Sequence, residues 1–458
     1  MSNKSIVKVP VKTSQFPASL ESVPLNSIRK ILPDNTIHDA CHQVNYNYRK
    51  RFLTPVVTVL HMILAAIWPE ESFNASWQLL WSSFVANHPS MAGKSPSRGT
   101  VSNARKRMPL EAWNKIAEWL SEQGQACSKK LDQWRGHRVV AVDGTCITVS
   151  NTKEPCDTFG LCKGNTGPRL YPLIRMVCLS VVETMIVINY RIGSYRTDEN
   201  TLLKPMLKTL RKGDILLGDR HYAGANLYWE YMQNGLEYIT RKHQRLIVSR
   251  LKRLWSYGQN DFVAKLNIGD AYRKENPEMP KYIKARFIQV KVCIRGKVRY
   301  IWLVTSLLDD KYPAAEIAEL HLKRWSIETL FGQFKIDLSA DILRSRSVDA
   351  VRKEIAARVC AINIVHTIML QAAITKKVDV LRISFVYTVR AVIAFAPALT
   401  SGSPERLKRV YDAMLCEIAA HLVPLRPGRL EPRRLAHDPR NYPKLTITRA
   451  QWRKQNAA

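Results

Sequence analysis

Acidic residues are scarce in this 458-residue chain: 38 Asp and Glu stand against 70 Lys and Arg, a formal net charge of +32. That excludes an acidic or neutral housekeeping enzyme and points to a polyanionic partner, most simply nucleic acid, whose condensed counterions are released on binding. Cysteine is sparse as well, with nine residues in odd number. Only Cys156 and Cys162 lie close, with five residues between them, unlike the short spacing of zinc sites, so reduced thiols and no structural metal are expected. Residues 1–20 lack the continuous apolar stretch of a secretory signal, and a cytoplasmic protein is expected. Long uninterrupted hydrophobic runs are missing too: His61 breaks Phe52–Trp68, and Arg358 and His366 break Ala357–Ile374. Both windows read as core helices and not as membrane spans. No internal repeat or low-complexity tract is evident. What is abundant is apolar mass: 46% hydrophobic residues, with 11 Trp and 17 Tyr, suffice for a large core in about two to four domains.

The pattern along the chain divides it. Residues 1–25 read as a flexible lead, and 26–130 carry helical periodicity, as in TPVVTVLHMILAAIW and SWQLLWSSFVANH. Within that helical region SRGTVSNARKRM (97–108) predicts a short helix capped by Thr100, with Arg98, Arg105, Lys106 and Arg107 as candidate DNA contacts. A solvated basic face is the equal alternative. From 131 the pattern changes to strands, RVVAVDGTCITV and RLYPLIRMVCLSVVETMIVINYRIG, then a helical stretch, the strand DILLGD and another helix. The order β, β, β, α, β, α predicts a mixed α/β sheet covered by helices. A basic, strand-rich block at 241–306 looks inserted; it contains a hairpin-like segment, 282–306, with Arg295-Gly296 at its turn. Helix returns from about Pro313 to Lys335 and from Val348 to Thr375. The region 376–458 is helical and then rich in Pro and Arg; within 401–458, 12 basic residues face 5 acidic ones.

Chemistry is suggested by two aspartates, Asp143 in VAVDGT and Asp219 in LLGDRHY, each expected at the C-terminal end of a strand, where α/β sheets place ligands. Taken singly, each is as well explained as a turn or cap residue. On the helix HLKRWSIETLFGQFK, His321, Arg324, Glu328 and Lys335 stand at offsets 0, 3, 7 and 14. At about 100° per residue these fall within an arc of roughly 60°, which predicts one shared face, with Leu320, Ile327, Leu330 and Phe331 packing opposite. Asp143, Asp219 and Glu328 together suit two Mg²⁺ ions set for in-line phosphoryl displacement, and hard oxygen donors argue against zinc. Arg324 and Lys335 would grip neighbouring phosphates. Asp157, Asp198 and Glu199 read as loop and cap residues; His221 and Tyr222 are open between substrate contact and packing.

The spacing Asp143…Asp219…Glu328, the phrases VAVDGT, IGSYRTDEN and LLGDRHY, the Arg-Trp-x-Ile-Glu of 324–328 followed by Lys335, and the RPGRLEPRR…YP tail resemble the bacterial DDE transposases of insertion-sequence group 4. The resemblance spans about residues 30–445. It implies an RNase H-like catalytic core, a mixed five-stranded sheet with flanking helices over 131–375, interrupted by the β-rich insertion, with helical domains on both sides. It further implies cut-and-paste transposition of double-stranded DNA: nicking at a terminal inverted repeat, a hairpin made by the freed 3′-hydroxyl, its reopening, and transfer to target DNA. A synaptic homodimer at the bacterial nucleoid and two Mg²⁺ ions, replaceable by Mn²⁺, complete the expectation. The family's Tyr-x₂-Arg-x₃-Glu-x₆-Lys signature fits at Arg324, Glu328 and Lys335, while His321 holds the Tyr position. The resemblance assigns His321, Arg324 and Lys335 to phosphate, Trp302 to stacking on a flipped base and Trp325 to the space that base leaves; core packing is the plain alternative for both tryptophans. Two other functions compete: a metal-dependent nuclease or resolvase on the same core, and an inactive copy acting as a DNA-binding repressor, which the His321 substitution motivates.

Overall fold

The computed structural model describes residues 26–48, 52–68, 72–128, 133–164, 167–294, 297–399, 402–424 and 451. The expected lead (1–25), the Arg295-Gly296 turn and the Pro/Arg-rich tail (426–444) lie outside the described residues.

Among the described residues six α-helices come first: α1 (Asn26–Ile31), α2 (Asp34–Gln43), α3 (Pro55–Ile67), α4 (Phe73–Asn87), α5 (Arg98–Arg107) and α6 (Leu110–Ser128). Their starts are locally encoded. Thr54 and Ser72 each accept a hydrogen bond from a first-turn backbone N–H of α3 and α4. Ser97, not Thr100, caps α5, its hydroxyl accepting from the Thr100 N–H at 3.2 Å.

A mixed α/β region follows, with β1 (Val139–Thr148), α7 (Lys153–Phe159), β2 (Leu161–Gly164), β3 (Gly167–Val181), β4 (Val187–Ser194), α8 (Glu199–Leu203), β5 (Ile215–Gly218), α9 (Ala225–Gln233) and β6 (Glu237–Arg241). β1 pairs antiparallel with β3 and β3 with β4, whereas β1, β5 and β6 run parallel. The strand-rich block supplies β7 (Lys252–Gly258), β8 (Asp261–Asn267), α10 (Asp270–Glu275), β9 (Tyr282–Ile294) and β10 (Lys297–Thr305). It is not a separate layer. β10 pairs antiparallel with β6, and β9, β8 and β7 follow, so five expected strands become one ten-stranded sheet. The edge that β6 would otherwise leave open is thereby covered.

The chain then forms α11 (Ala314–Leu322), α12 (Trp325–Gly332), the long α13 (Val348–Lys376), α14 (Phe385–Phe395) and α15 (Pro404–Ala420). α13 is long and apolar enough to cross a membrane, but 94% of its apolar window is buried within the molecule. It packs against α6, α3 and α15, and a single apolar core runs from the N-terminal helices through one face of the sheet to α12 and α13. The other face carries a second core, built from α8, α9 and the inner residues of β8 and β9. The polar residues that interrupt α13 serve as clamps. Asn363 exchanges two hydrogen bonds with the Val187 backbone (2.8 and 3.0 Å), and the His366 ring bridges the Met185 carbonyl and Gln333 Oε1 at 2.9 and 2.8 Å. Arg358 pairs with Glu354 at 2.6 Å and donates to the Leu338 carbonyl. α13 thus ties the β3–β4 hairpin to the segment that follows α12.

Candidate active site

Asp143 sits within β1 and not at its end, because β3 accompanies β1 as far as Thr148. The parallel neighbour β5 stops pairing at Ala141, so Asp143 emerges just past the end of that ladder. Alternation along β1 directs it to the face covered by α12. Asp219 immediately follows β5; its Oδ1 accepts the His221 N–H at 2.7 Å, which starts a short 3₁₀ turn. Glu328 lies in the first turn of α12.

Arg324 joins these elements. Its guanidinium donates to Asp143 Oδ2 at 3.1 Å and to Glu328 Oε1 at 2.7 Å. Its side chain is only 11% exposed, while Glu328 remains 39% exposed. Burial pushes the Asp143 carboxyl up to about 6; the Gly144 N–H and Arg324 oppose the rise, and the charges of Asp219 and Glu199 add to it. Carboxylates crowded in this way favour a cation. Among the described residues no group of three or more His, Cys, Asp or Glu is disposed to hold a metal ion, and a single guanidinium bridges two of the three acids. The donor set is nonetheless all carboxylate oxygen, as a hard divalent ion requires.

The single helical face expected for 321–335 is not formed. α11 ends at Leu322, the backbone at Arg324, Ser326 and Ile327 bonds three residues back, and a π-turn spans Gln333–Asp337. These two changes of pitch break the one regular helix that the shared face requires. His321 is consequently buried, 6% exposed, beside the Gly218 backbone, and burial and Arg324 hold its imidazole down to about 4, hence neutral. It lies near Arg324 and Asp219, whose charges act on it, but unlike Glu328 it is closed off from solvent. Lys335 is half-buried, and its ammonium makes no ion pair among the described residues.

Trp325 is 61% exposed, next to Arg324, which removes the core-packing alternative for it. Trp302 is half-buried on the opposite face of the sheet, edge-on to Phe262 with ring centroids 5.7 Å apart. It lies two strands from β5, about 10 Å at the spacing of neighbouring strands, toward the same end of the sheet as Asp219. Of the α5 cations, Arg98, Lys106 and Arg107 are exposed. Arg105 is turned inward, 3.5 Å from the centre of the Phe73 ring, because with Val101, Ala104 and Met108 it occupies offsets 0, 3, 4 and 7 of the packed stripe.

Residues 134–364, half of the chain, match the family model described as "Transposase DDE domain". The chain belongs to the DDE transposases. It is 24% identical over 349 residues to the transposase InsG for insertion sequence element IS4 of Escherichia coli (strain K12), covering 75% of this chain and 77% of that one. The putative transposase InsZ of the same organism is 27% identical over 144 residues, 30% of this chain and 47% of its own. A piggyBac transposase synaptic complex with hairpin DNA superposes with a TM-score of 0.43 at 12% identity, over 89% of this chain and 87% of that one. This DDE transposase is of the IS4 kind, an enzyme that moves DNA by polynucleotidyl transfer, in a family that generally uses divalent metal ions.

Residue-level reading of the sequence missed the surroundings of Asp143. Glu199 lies directly against Gly144 and accepts a hydrogen bond from Tyr222 at 2.7 Å. The available signal was Gly144 itself, since a glycine inside a strand marks close approach by another group.

Proposed function

We propose that this transposase carries out cut-and-paste movement of an insertion sequence: it binds terminal inverted repeats, nicks, forms and reopens a hairpin, and joins the 3′-end to target DNA. The Arg324 bridge between Asp143 and Glu328 carries the proposal, since it brings acids from β1 and α12 beside the Asp219 turn. Asp143, Asp219 and Glu328 would hold two Mg²⁺ ions, with Mn²⁺ able to substitute; when bound, such ions neutralise charge on the attacking and leaving oxygens. Engagement of all three carboxylates would release Arg324 from its two acids to grip the phosphate beside the scissile bond, with Lys335 on the next turns. His321, neutral and buried, supports the Gly218–Asp219 turn and leaves phosphate contact to Arg324 and Lys335. Trp325 is free to occupy the gap left by an extruded base, and Trp302, braced by Phe262, offers its open face for stacking.

The core is RNase H-like, with β1, β3, β4, β5 and β6 as its five strands. The N-terminal helices, through Arg98, Lys106 and Arg107, and the basic region 376–458 hold the DNA ends in a homodimer, without a membrane. A labelled duplex carrying the element's own end and flank tests this, incubated with Mg²⁺ and resolved on a denaturing gel. Wild type should give a nick and then a slower hairpin product, both absent in Glu328→Gln. Binding without any product in wild type would leave only DNA binding. End affinity should fall about 10³-fold or more between 50 and 200 mM salt, as several phosphate contacts require; a flat response would detach the +32 charge from DNA.

A further inference from the structure

Behind the two aspartates, on the sheet face away from α12, three consecutive residues at the start of α8 grip the turn that carries Asp219. The Asp198 carboxylate caps α8 and lies 3.4 Å from the His221 imidazole. The Asn200 amide donates to the His221 carbonyl at 3.3 Å. Between them Glu199 accepts the Tyr222 hydroxyl at 2.7 Å and forms an ion pair with Arg175 of β3. Tyr222 is fully buried, with its own carbonyl accepting from the Tyr231 hydroxyl at 3.1 Å. It stacks so closely under Gly218 that a Cβ there would stand 2.9 Å from the Tyr222 Cβ. Glu199 also reaches β1: its carboxylate fills the position that a side chain at residue 144 would need, next to Asp143.

We propose that Glu199 is a positioning residue for the catalytic aspartates, a strut that sets the separation of Asp143 and Asp219 by spanning from Gly144 to Tyr222. The inference rests on the three-carboxylate reading above. β1 and β5 share only three paired residues, Val139–Ala141 with Ile215–Leu217, and both aspartates lie beyond that ladder. Backbone hydrogen bonding between these strands therefore ends before the acids begin, and another contact must hold them in register. Glu199 touches the residue after Asp143 and the side chain three residues after Asp219, and Arg175 and Tyr222 leave its carboxylate little freedom to swing. Gly144 is required at its position because any side chain would displace the strut.

The test uses the full chain and two readouts: Mn²⁺ binding without DNA, followed by the electron paramagnetic resonance of free Mn²⁺, and the Mg²⁺ concentration for half-maximal nicking. Asp143→Asn sets the baseline; if wild type binds Mn²⁺ no better than Asp143→Asn, the carboxylate reading fails and the strut with it. Given Asp143-dependent binding, Glu199→Ala and Gly144→Ala should each weaken Mn²⁺ affinity about 10- to 100-fold, the usual cost of losing a group that orients a metal ligand. Both should raise the Mg²⁺ requirement in step, with metal-free binding to end DNA preserved. Glu199→Gln, which can still accept from Tyr222, should recover part of the loss. In the Gly144→Ala/Glu199→Ala double variant the clash is gone, so its defect should not exceed that of Glu199→Ala alone. Wild-type Mn²⁺ affinity in Glu199→Ala, or defects that multiply in the double variant, would overturn the strut.

Discussion

α13 and the α11–α12 segment both place charged and polar residues on helices packed against the same core, yet they treat them in opposite ways. Within α13 each polar interruption finds its partner inside the protein: Arg358 with Glu354, Asn363 with the Val187 backbone, His366 with Met185 and Gln333. Along α12 the arrangement stays open. Arg324 divides itself between two acids from different elements, Glu328 is partly exposed, and Trp325 lies on the surface. Fully paired buried charge specifies a structure, because removing either partner strands the other. Charge that is paired but reachable can be traded for a ligand.

That contrast can be broken most forcefully in α13. Arg358→Leu removes the guanidinium paired with buried Glu354, which keeps only the Arg344 and Ser345 backbone N–H groups and the charge of Arg105, and should cost about 3 kcal/mol of stability, read from urea or thermal unfolding. Arg324→Ala should do the reverse, lowering end cleavage about 10²-fold, as expected for loss of a charged transition-state contact, with an unfolding midpoint close to wild type. If both variants simply unfold, the distinction between the helices is lost. Trp325→Ala sharpens it further: stability should move by less than about 0.5 kcal/mol, as for an ordinary surface position, while the hairpin step slows about tenfold and the first nick is spared. Equal loss in both steps would place Trp325 in general binding.

The smallest effect concerns pH. Burial holds His366 down to about 4, against 6.5 for an ordinary imidazole. Between those values the unfolded chain binds the extra proton and the folded one does not, so stability should fall as pH drops from 6.5 toward 4. His366→Gln, which keeps a hydrogen-bonding amide, should flatten that slope by a few degrees of midpoint across the window; an unchanged slope would assign the acid sensitivity to other groups.

Local pattern accounts for much of what was legible beforehand. The apolar strand runs at 139–148 and 215–218 and the apolar periodicity of α3 and α13 need only neighbouring residues to be read, and the family resemblance singled out Asp143, Asp219 and Glu328 as candidates. The failures share one cause. A single face over 321–335 needs constant pitch, but α11 ends at Leu322 and a π-turn follows Gly332, where His366 clamps Gln333. Arg105 stands in a basic run that reads as a surface, but it lies over the ring of Phe73, far away in sequence.

By itself, then, the sequence determined most of the elements and the basic charge that suits a polyanion, and it singled out three candidate acids, because propensity, spacing and composition act over short range. Only the tertiary structure decided that the inserted strands extend one sheet, that His321 turns inward and that Glu199 lies behind Asp143. Those outcomes depend on which surfaces meet when distant segments close on one another, and nothing in the local sequence carries that information.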